Sequence, residues 1–295
     1  MHFTFILPKN FKSQTIKCLL EETWLVPRKQ RHFLRTKKHI LVNGKSVNWQ
    51  EMVKSGDEIA VKFDDDDFQP LHCKFGNSNL AKILYEDEHL VIANKPEGMK
   101  THGNSPDELA LQNHVAAAVN SPVFVVHRLD METSGAVLFA KNQFVLPILG
   151  RMLENREIHR EYVALVNGQF SRETLTIDLP IGKHRNDKRK RIVSNSGQKA
   201  ITHVTILEQF DKTSLVKCIL DTGRTHQIRV HLAHINHPII GDPLYGQKNA
   251  RLMLHARQIT LQHPFTLSNL TISAPSDSFS ARYEQEQSHK NQSNR

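Results

Sequence analysis

Within nine residues, His127-Arg128-Leu129-Asp130-Met131-Glu132-Thr133-Ser134-Gly135 places an imidazole, a guanidinium, two carboxylates and two hydroxyls side by side. The segment lies between Val123-Phe124-Val125-Val126 and an apolar run that begins at Ala136. A strand that opens into a charged loop and then re-enters the core holds reactive groups rigidly, although a surface turn closed by a salt bridge would share the pattern. A carboxylate so placed can act as a nucleophile or as a base.

Several chemistries fail on spacing. A kinase catalytic loop also begins His-Arg, but the order here is His-Arg-Leu-Asp, with no glycine-rich nucleotide loop and no Asp-Phe-Gly. Asn43-Gly44-Lys45-Ser46 ends like a phosphate loop, yet the required earlier glycine is His39. A hydrolase would want a paired acid or a serine–histidine arrangement, and neither is evident. His231, His234 and His237 recur every third residue. On a helix that spacing drifts round the axis, and no cysteine or carboxylate completes a set, so no metal is expected.

His127 to Gly135 resembles the signature of the RluA-type pseudouridine synthases, in which the Asp of H-R-L-D is catalytic. Four further segments are similar to that family and follow its order. They are Asn94-Lys95-Pro96-Glu97-Gly98-Met99 with Thr101-His102, then Arg160-Glu161-Tyr162-Val163-Ala164-Leu165-Val166. Thr222-Gly223-Arg224-Thr225-His226-Gln227-Ile228-Arg229-Val230-His231-Leu232 and Gly241-Asp242-Pro243-Leu244-Tyr245-Gly246 complete the set. Five ordered segments make coincidence a poor explanation.

The resemblance implies that Asp130 is the catalytic carboxylate, that Arg224 pairs with it, and that Tyr162 supplies a flat ring for the uracil. Such a reaction detaches uracil from its sugar, turns it and rejoins it through a ring carbon. Substrate and product are isomers, so no cofactor is expected. A guanidinium beside Asp130 would favour its ionised form and orient it, which a lysine, lacking the planar fork, would do poorly. A uridine inside paired RNA must be flipped out to be reached. Arg128 is placed to fill the vacated space, with a phosphate contact or an internal ion pair as alternatives. His127 and Lys95 are further candidates for contact with RNA. The competing reading is a non-catalytic RNA-binding or ribosome assembly protein that retains the fold, against which the intact Asp, Arg and Tyr set speaks.

The elements that must position these groups follow from periodicity. Leu90-Val91-Ile92-Ala93 and Ala136-Val137-Leu138-Phe139-Ala140 are short apolar runs suited to buried strands. Residues 108–120 and 142–156 read as helices, and 162–166, 201–207 and 215–220 as further strands. Without a repeated strand–glycine turn–helix unit, the expected class is α+β, with a mixed, largely antiparallel sheet. This catalytic domain is assigned to residues 68–275. Ahead of it, Ile16, Leu19 and Leu20 recur at helical spacing, Pro27 opens a basic helix through Arg35, and Asn43-Gly44 turns a hairpin. Residues 1–67 thus form a small α/β module ending in the acidic linker Asp64-Asp65-Asp66-Asp67, and a resemblance implies that it binds RNA. It resembles a module first described in a small-subunit ribosomal protein, with Val26-Pro27-Arg28 replacing the usual Ser-Arg. A small basic packing domain is the plainer alternative. Residues 276–295 are polar and expected to be a disordered tail.

Composition bounds the partners. A formal charge of +9 and a pI near 9.5 favour an anionic partner. The irregular run Lys183 to Arg191 suits RNA phosphates, with Arg189, Lys190 and Arg191 as candidate contacts, joined by Arg35 in the basic helix. The three cysteines, Cys18, Cys73 and Cys218, are odd in number and widely spaced, against both a disulfide framework and a zinc ribbon. No apolar run approaches a membrane span and the start lacks a secretion signal, so a cytoplasmic monomer without a membrane partner is expected. The family resemblance implies rRNA or tRNA as the partner, and the amino-terminal module favours rRNA.

Overall fold

A computed structural model describes residues 1–69 and 73–293. It begins with a strand that the sequence reading did not anticipate, β1 (His2–Ile6), with Phe3 and Phe5 buried and Thr4 exposed between them. After β2 (Gln14–Thr15) and α1 (Ile16–Cys18), a wider turn over Leu19–Thr23 leads to Pro27, which precedes α2 (Arg28–Thr36). β3 (Ile40–Val42) and β4 (Lys45–Ser46) form the expected hairpin. Asn43 and Gly44 both take positive φ, the conformation a tight two-residue turn requires. β5 (Met52–Val53) pairs with β2, and β6 (Glu58–Lys62) completes a sheet of order β1-β6-β3-β4.

The acidic run is more than a linker: Asp65 and Asp66 are exposed, but Asp64 and Asp67 are tied to the module. Asp65–Asp67 forms a short helical turn, and the Lys37 ammonium donates to Asp64 Oδ2 at 2.9 Å and Asp67 Oδ1 at 2.8 Å. A central lysine supplies the charge that lets Asp67 be buried.

The larger part of the chain is built on β7 (Lys82–Glu86), β8 (Leu90–Lys95), α3 (Leu111–Ala118), β9 (Phe124–Val125), β10 (Ser134–Ala140) and α4 (Val145–Glu154). It continues through β11 (Ile158–Asn167), β12 (Thr174–Asp178), β13 (Ile181–Lys183), β14 (Arg191–Val193), β15 (Ile201–Gln209) and β16 (Thr213–Leu220). The last elements are α5 (Gln227–His234), β17 (Leu254–Gln262), β18 (Asn269–Ser273) and α6 (Asp277–Ser293). Among the described residues the main sheet has ten strands, ordered β12-β15-β16-β11-β17-β10-β8-β7, with β18 on β17 and β9 on β10. Its pairings are antiparallel except β10 with β17. This is the mixed, largely antiparallel sheet the sequence led us to expect.

Both faces of the central strands are covered, which is why they read as unbroken apolar runs. Leu90, Ile92, Ala136 and Leu138 enter one core, and Val91, Ala93, Val137 and Phe139 enter the other. The first core also takes in Phe3, Phe5 and Trp24, so the amino-terminal module is packed onto the sheet domain. Residues 276–293 depart from the expected disordered tail. α6 buries Phe279, and its Tyr283 hydroxyl donates to Glu208 at 2.8 Å. Residues 294–295 of that segment lie outside the described residues.

Candidate active site

The H-R-L-D segment fills the connection between β9 and β10, and it is gripped from behind by the Asn94–His102 segment. Thr101 Oγ1 accepts from the Leu129 backbone N–H at 3.0 Å and donates to the Leu129 carbonyl at 3.1 Å. The Gly98 N–H donates to the Met131 carbonyl at 2.9 Å. Lys95 is fully buried, its ammonium donating to the carbonyls of Pro96, Met99 and Met131 at 2.9, 2.6 and 3.0 Å. Burial pulls this lysine down to about 8. Lys95 is therefore corrected from an RNA contact to an internal brace of the loop. At the other end Gly135 has φ +121°, and a Cβ there would stand 2.2 Å from the Ala256 carbonyl oxygen. Only glycine lets β10 come alongside β17 at this point.

Asp130 faces a cavity of about 520 Å³ whose wall includes Arg128, Arg160, Tyr162, Arg224 and His226. Its cationic partner is not the expected one. Arg229 Nη1 donates to Asp130 Oδ2 at 3.1 Å. The remaining edge of that guanidinium is held by Asp242, with Nε to Oδ2 at 2.8 Å and Nη2 to Oδ1 at 2.9 Å. Asp242 is in turn fixed by the backbone N–H groups of Leu244 and Tyr245. Burial opposes the charge on Arg229, but the two carboxylates outweigh it and hold the guanidinium above its ordinary value. Arg224 lies exposed on the rim, its Nε donating to the Lys199 carbonyl at 3.1 Å, and it makes no ion pair with Asp130. Pairing is thus reassigned from Arg224 to Arg229. The reason is geometric: Arg229 projects from α5 into the core, whereas Arg224 belongs to the loop ahead of that helix.

His226 ends that loop in a left-handed conformation, φ 58°, an uncommon state for a residue with a Cβ. Its Nε2 stands 3.8 Å from Asp130 Oδ2, the oxygen that also takes Arg229. The Tyr245 hydroxyl accepts from the Arg191 N–H at 2.7 Å, so its own hydrogen is free to go to His226 Nδ1, 2.9 Å away. That assignment leaves the Nε2–H tautomer facing the carboxylate. Burial lowers the His226 pKa and keeps the ring neutral. With both neighbours converging on Oδ2, Oδ1 is the oxygen left for a substrate.

Tyr162, on β11, is 5% exposed and reaches the cavity wall, and burial raises its phenol pKa. His127 is buried, accepts from the Leu138 N–H at 3.2 Å through Nε2, and is pushed down by burial to about 3. It is a neutral, buried ring that lines the cavity, so it offers no cation to RNA phosphates. Arg128 is exposed beside it. Arg189, paired with Asp187 at 2.9 Å, and Lys190 sit at the tip of the β13–β14 hairpin, while Arg191 begins β14. Arg35 is exposed on α2, over the Trp49 ring. The three histidines assemble no metal set: His231 is buried between Thr202 Oγ1 and the Leu179 carbonyl, and His237 stacks on Phe170.

Sequence reasoning missed Arg229, Asp242 and His226. The available signal was a charged side chain between the apolar Ile228 and Val230, with the Asp of Gly241-Asp242-Pro243 as its counter-ion.

A carboxylate held by a doubly anchored arginine, opposite a buried tyrosine and open to a nucleoside-sized cavity, suits base chemistry on a nucleic acid. Residues 89–234 match the RNA pseudouridylate synthase family, and residues 3–59 match the RluD ribosomal pseudouridine synthase N-terminal domain. The chain is 38% identical over 247 residues to an uncharacterized RNA pseudouridine synthase, YhcT, of Bacillus subtilis, covering 80% of this chain and 81% of that one. It is 35% identical over 258 residues to ribosomal large subunit pseudouridine synthase C of Buchnera aphidicola, covering 81% and 82%. The solved structure of human RNA pseudouridylate synthase domain containing 1 superposes with a TM-score of 0.60 at 26% identity, over 72% of this chain and 90% of that one. The chain belongs to the RNA pseudouridine synthase family.

Proposed function

We propose that this enzyme converts uridine in structured large-subunit rRNA to pseudouridine, and that Asp130 is the group that acts on the nucleoside. The carrying observation is the 3.1 Å contact between Arg229 and Asp130 Oδ2 at the wall of the cavity. Arg229 fixes the aim of the carboxylate, so that Oδ1 meets the sugar–base junction as nucleophile or base. Tyr162 lies flat against the uracil, and the nucleotide reaches the pocket by flipping out of its helix while Arg128 fills the gap. Large-subunit rRNA is favoured over tRNA by the relatives named for that subunit, from Nitrosomonas europaea and Buchnera aphidicola among others, and by the match of residues 3–59. None of the helices among the described residues is long and apolar enough to cross a membrane.

Tritium release from rRNA labelled at the fifth carbon of uracil tests the reading directly. Wild-type protein should release label and Asp130→Asn should not, while both bind the RNA. Absence of release by the wild type from every rRNA and tRNA pool would sink the proposal, and release only from tRNA would move its target.

A further inference from the structure

One buried charge in the cavity has no counter-ion. Arg160 is only 8% exposed and lies two residues before Tyr162 on β11, so the two side chains share a face of the strand. Its Nε has no hydrogen-bond partner, and among the described residues its guanidinium makes no ion pair. Of the carboxylates lining the cavity, Asp130 pairs with Arg229 at 3.1 Å and Asp221 with Arg156 at 3.0 Å, while Glu154 is exposed and makes no ion pair with Arg160. The adjacent His127 ring is neutral. The other arginine buried in this wall, Arg229, is by contrast held on two sides by carboxylates.

Gly223 supplies a second, independent observation. It is exposed at the cavity wall, and its backbone does not need glycine, since its φ is not in the left-handed region. A Cβ there would come within 3.2 Å of Arg160 Nη1 and 3.7 Å of Nη2. The glycine therefore leaves the guanidinium uncovered on its outer side. A buried, uncompensated charge is costly unless something completes it.

We infer that Arg160 is a phosphate-binding residue, which receives a phosphodiester flanking the flipped uridine while Tyr162 receives the ring. The inference rests on the pseudouridylation reading above. Phosphate is the anionic group RNA can bring into this cavity, and a guanidinium fork matches two of its oxygens. Arg160 and Asp130 then hold the nucleotide from the backbone side and the glycosidic side respectively.

The test uses uridine, uridine 5′-monophosphate and uridine 3′-monophosphate, titrated by NMR at fixed ionic strength into wild type, Arg160→Gln and Arg160→Lys. Wild type should bind one of the monophosphates about tenfold more tightly than uridine, and which one identifies the phosphate. Arg160→Gln should lose that advantage without a change for uridine, and Arg160→Lys should recover part of it. With rRNA as a second probe, Arg160→Gln should lower the salt slope of binding by about 0.7 to 0.9, one phosphate's worth. An advantage that persists in Arg160→Gln, equal weakening for uridine and its monophosphates, or an unchanged salt slope overturns the inference. Tritium release judges the underlying reading separately: label released without an Arg160-dependent phosphate preference removes this site and leaves the enzyme.

Discussion

At the scale of single residues, the chemistry turns on which arginine meets Asp130. Two arginines stand five positions apart in the same late segment, and their types alone do not choose between them. The helix boundary does. With α5 beginning at Gln227, Arg229 points into the interior and Arg224 stays on the rim. The two positions make opposite predictions. Arg229→Gln strips the counter-ion from Asp242, which is fully buried, and should cost about 3–5 kcal/mol of stability together with tritium release. Arg224→Gln alters an exposed contact and should stay within about 0.5 kcal/mol of wild type, with label still released at saturating RNA. Urea denaturation and the release assay read both quantities. Similar losses for the two variants would return Arg224 to the centre of the site.

At the scale of elements, strands buried on both faces were the most legible. β8 and β10 cannot alternate, because each face meets a core, and an unbroken apolar run is what such a strand requires. The H-R-L-D loop was legible for the complementary reason, as charge interrupting two such runs. β1 was missed although Phe3 and Phe5 are buried in alternation with His2, Thr4 and Ile6, because five residues give little to distinguish a strand from a tail. α6 was missed because its composition is largely polar. Its signal was two aromatics, Phe279 and Tyr283, spaced i and i+4 on one helix face. That helix also reaches towards the site: Phe279 packs near His255, whose Nδ1 is 2.8 Å from Ser134 Oγ at the start of β10. Phe279→Ala should therefore cost about 3 kcal/mol, measured by urea unfolding. A disordered tail would tolerate the same change within about 0.5 kcal/mol, and that result would remove α6 from the fold.

At the scale of the whole molecule, the amino-terminal module is joined to the sheet domain by aromatic packing. Phe5 and Phe265 have ring centroids 4.3 Å apart, Trp24 and Phe265 5.3 Å, and Phe3 and Phe144 5.4 Å. Polar ties reinforce the junction, since Arg151 Nη1 donates to the carbonyls of Leu25 and Val26, both at 3.2 Å. A core shared in this way should unfold as one cooperative unit. Both tryptophans of the chain, Trp24 and Trp49, lie in the module, with Trp24 against Phe265, so their fluorescence reports the module and its junction, whereas far-ultraviolet circular dichroism reports chiefly the larger domain. The junction also carries a titratable group: His89 is packed among Phe3, Phe5 and Phe265, and burial drives it from 6.5 down to about 4. Below 6.5 the unfolded chain takes up a proton there that the folded chain refuses. The contribution of neutral His89 is thus whole above that pH and lost as pH falls towards 4. Urea midpoints read by the two signals should coincide, and both should decline together between pH 6.5 and 4, with His89→Phe flattening the decline. Two separated transitions, the fluorescence one moving alone, would mean that the module is tethered and not fused to the enzyme, and that its grip on RNA is set independently of the site.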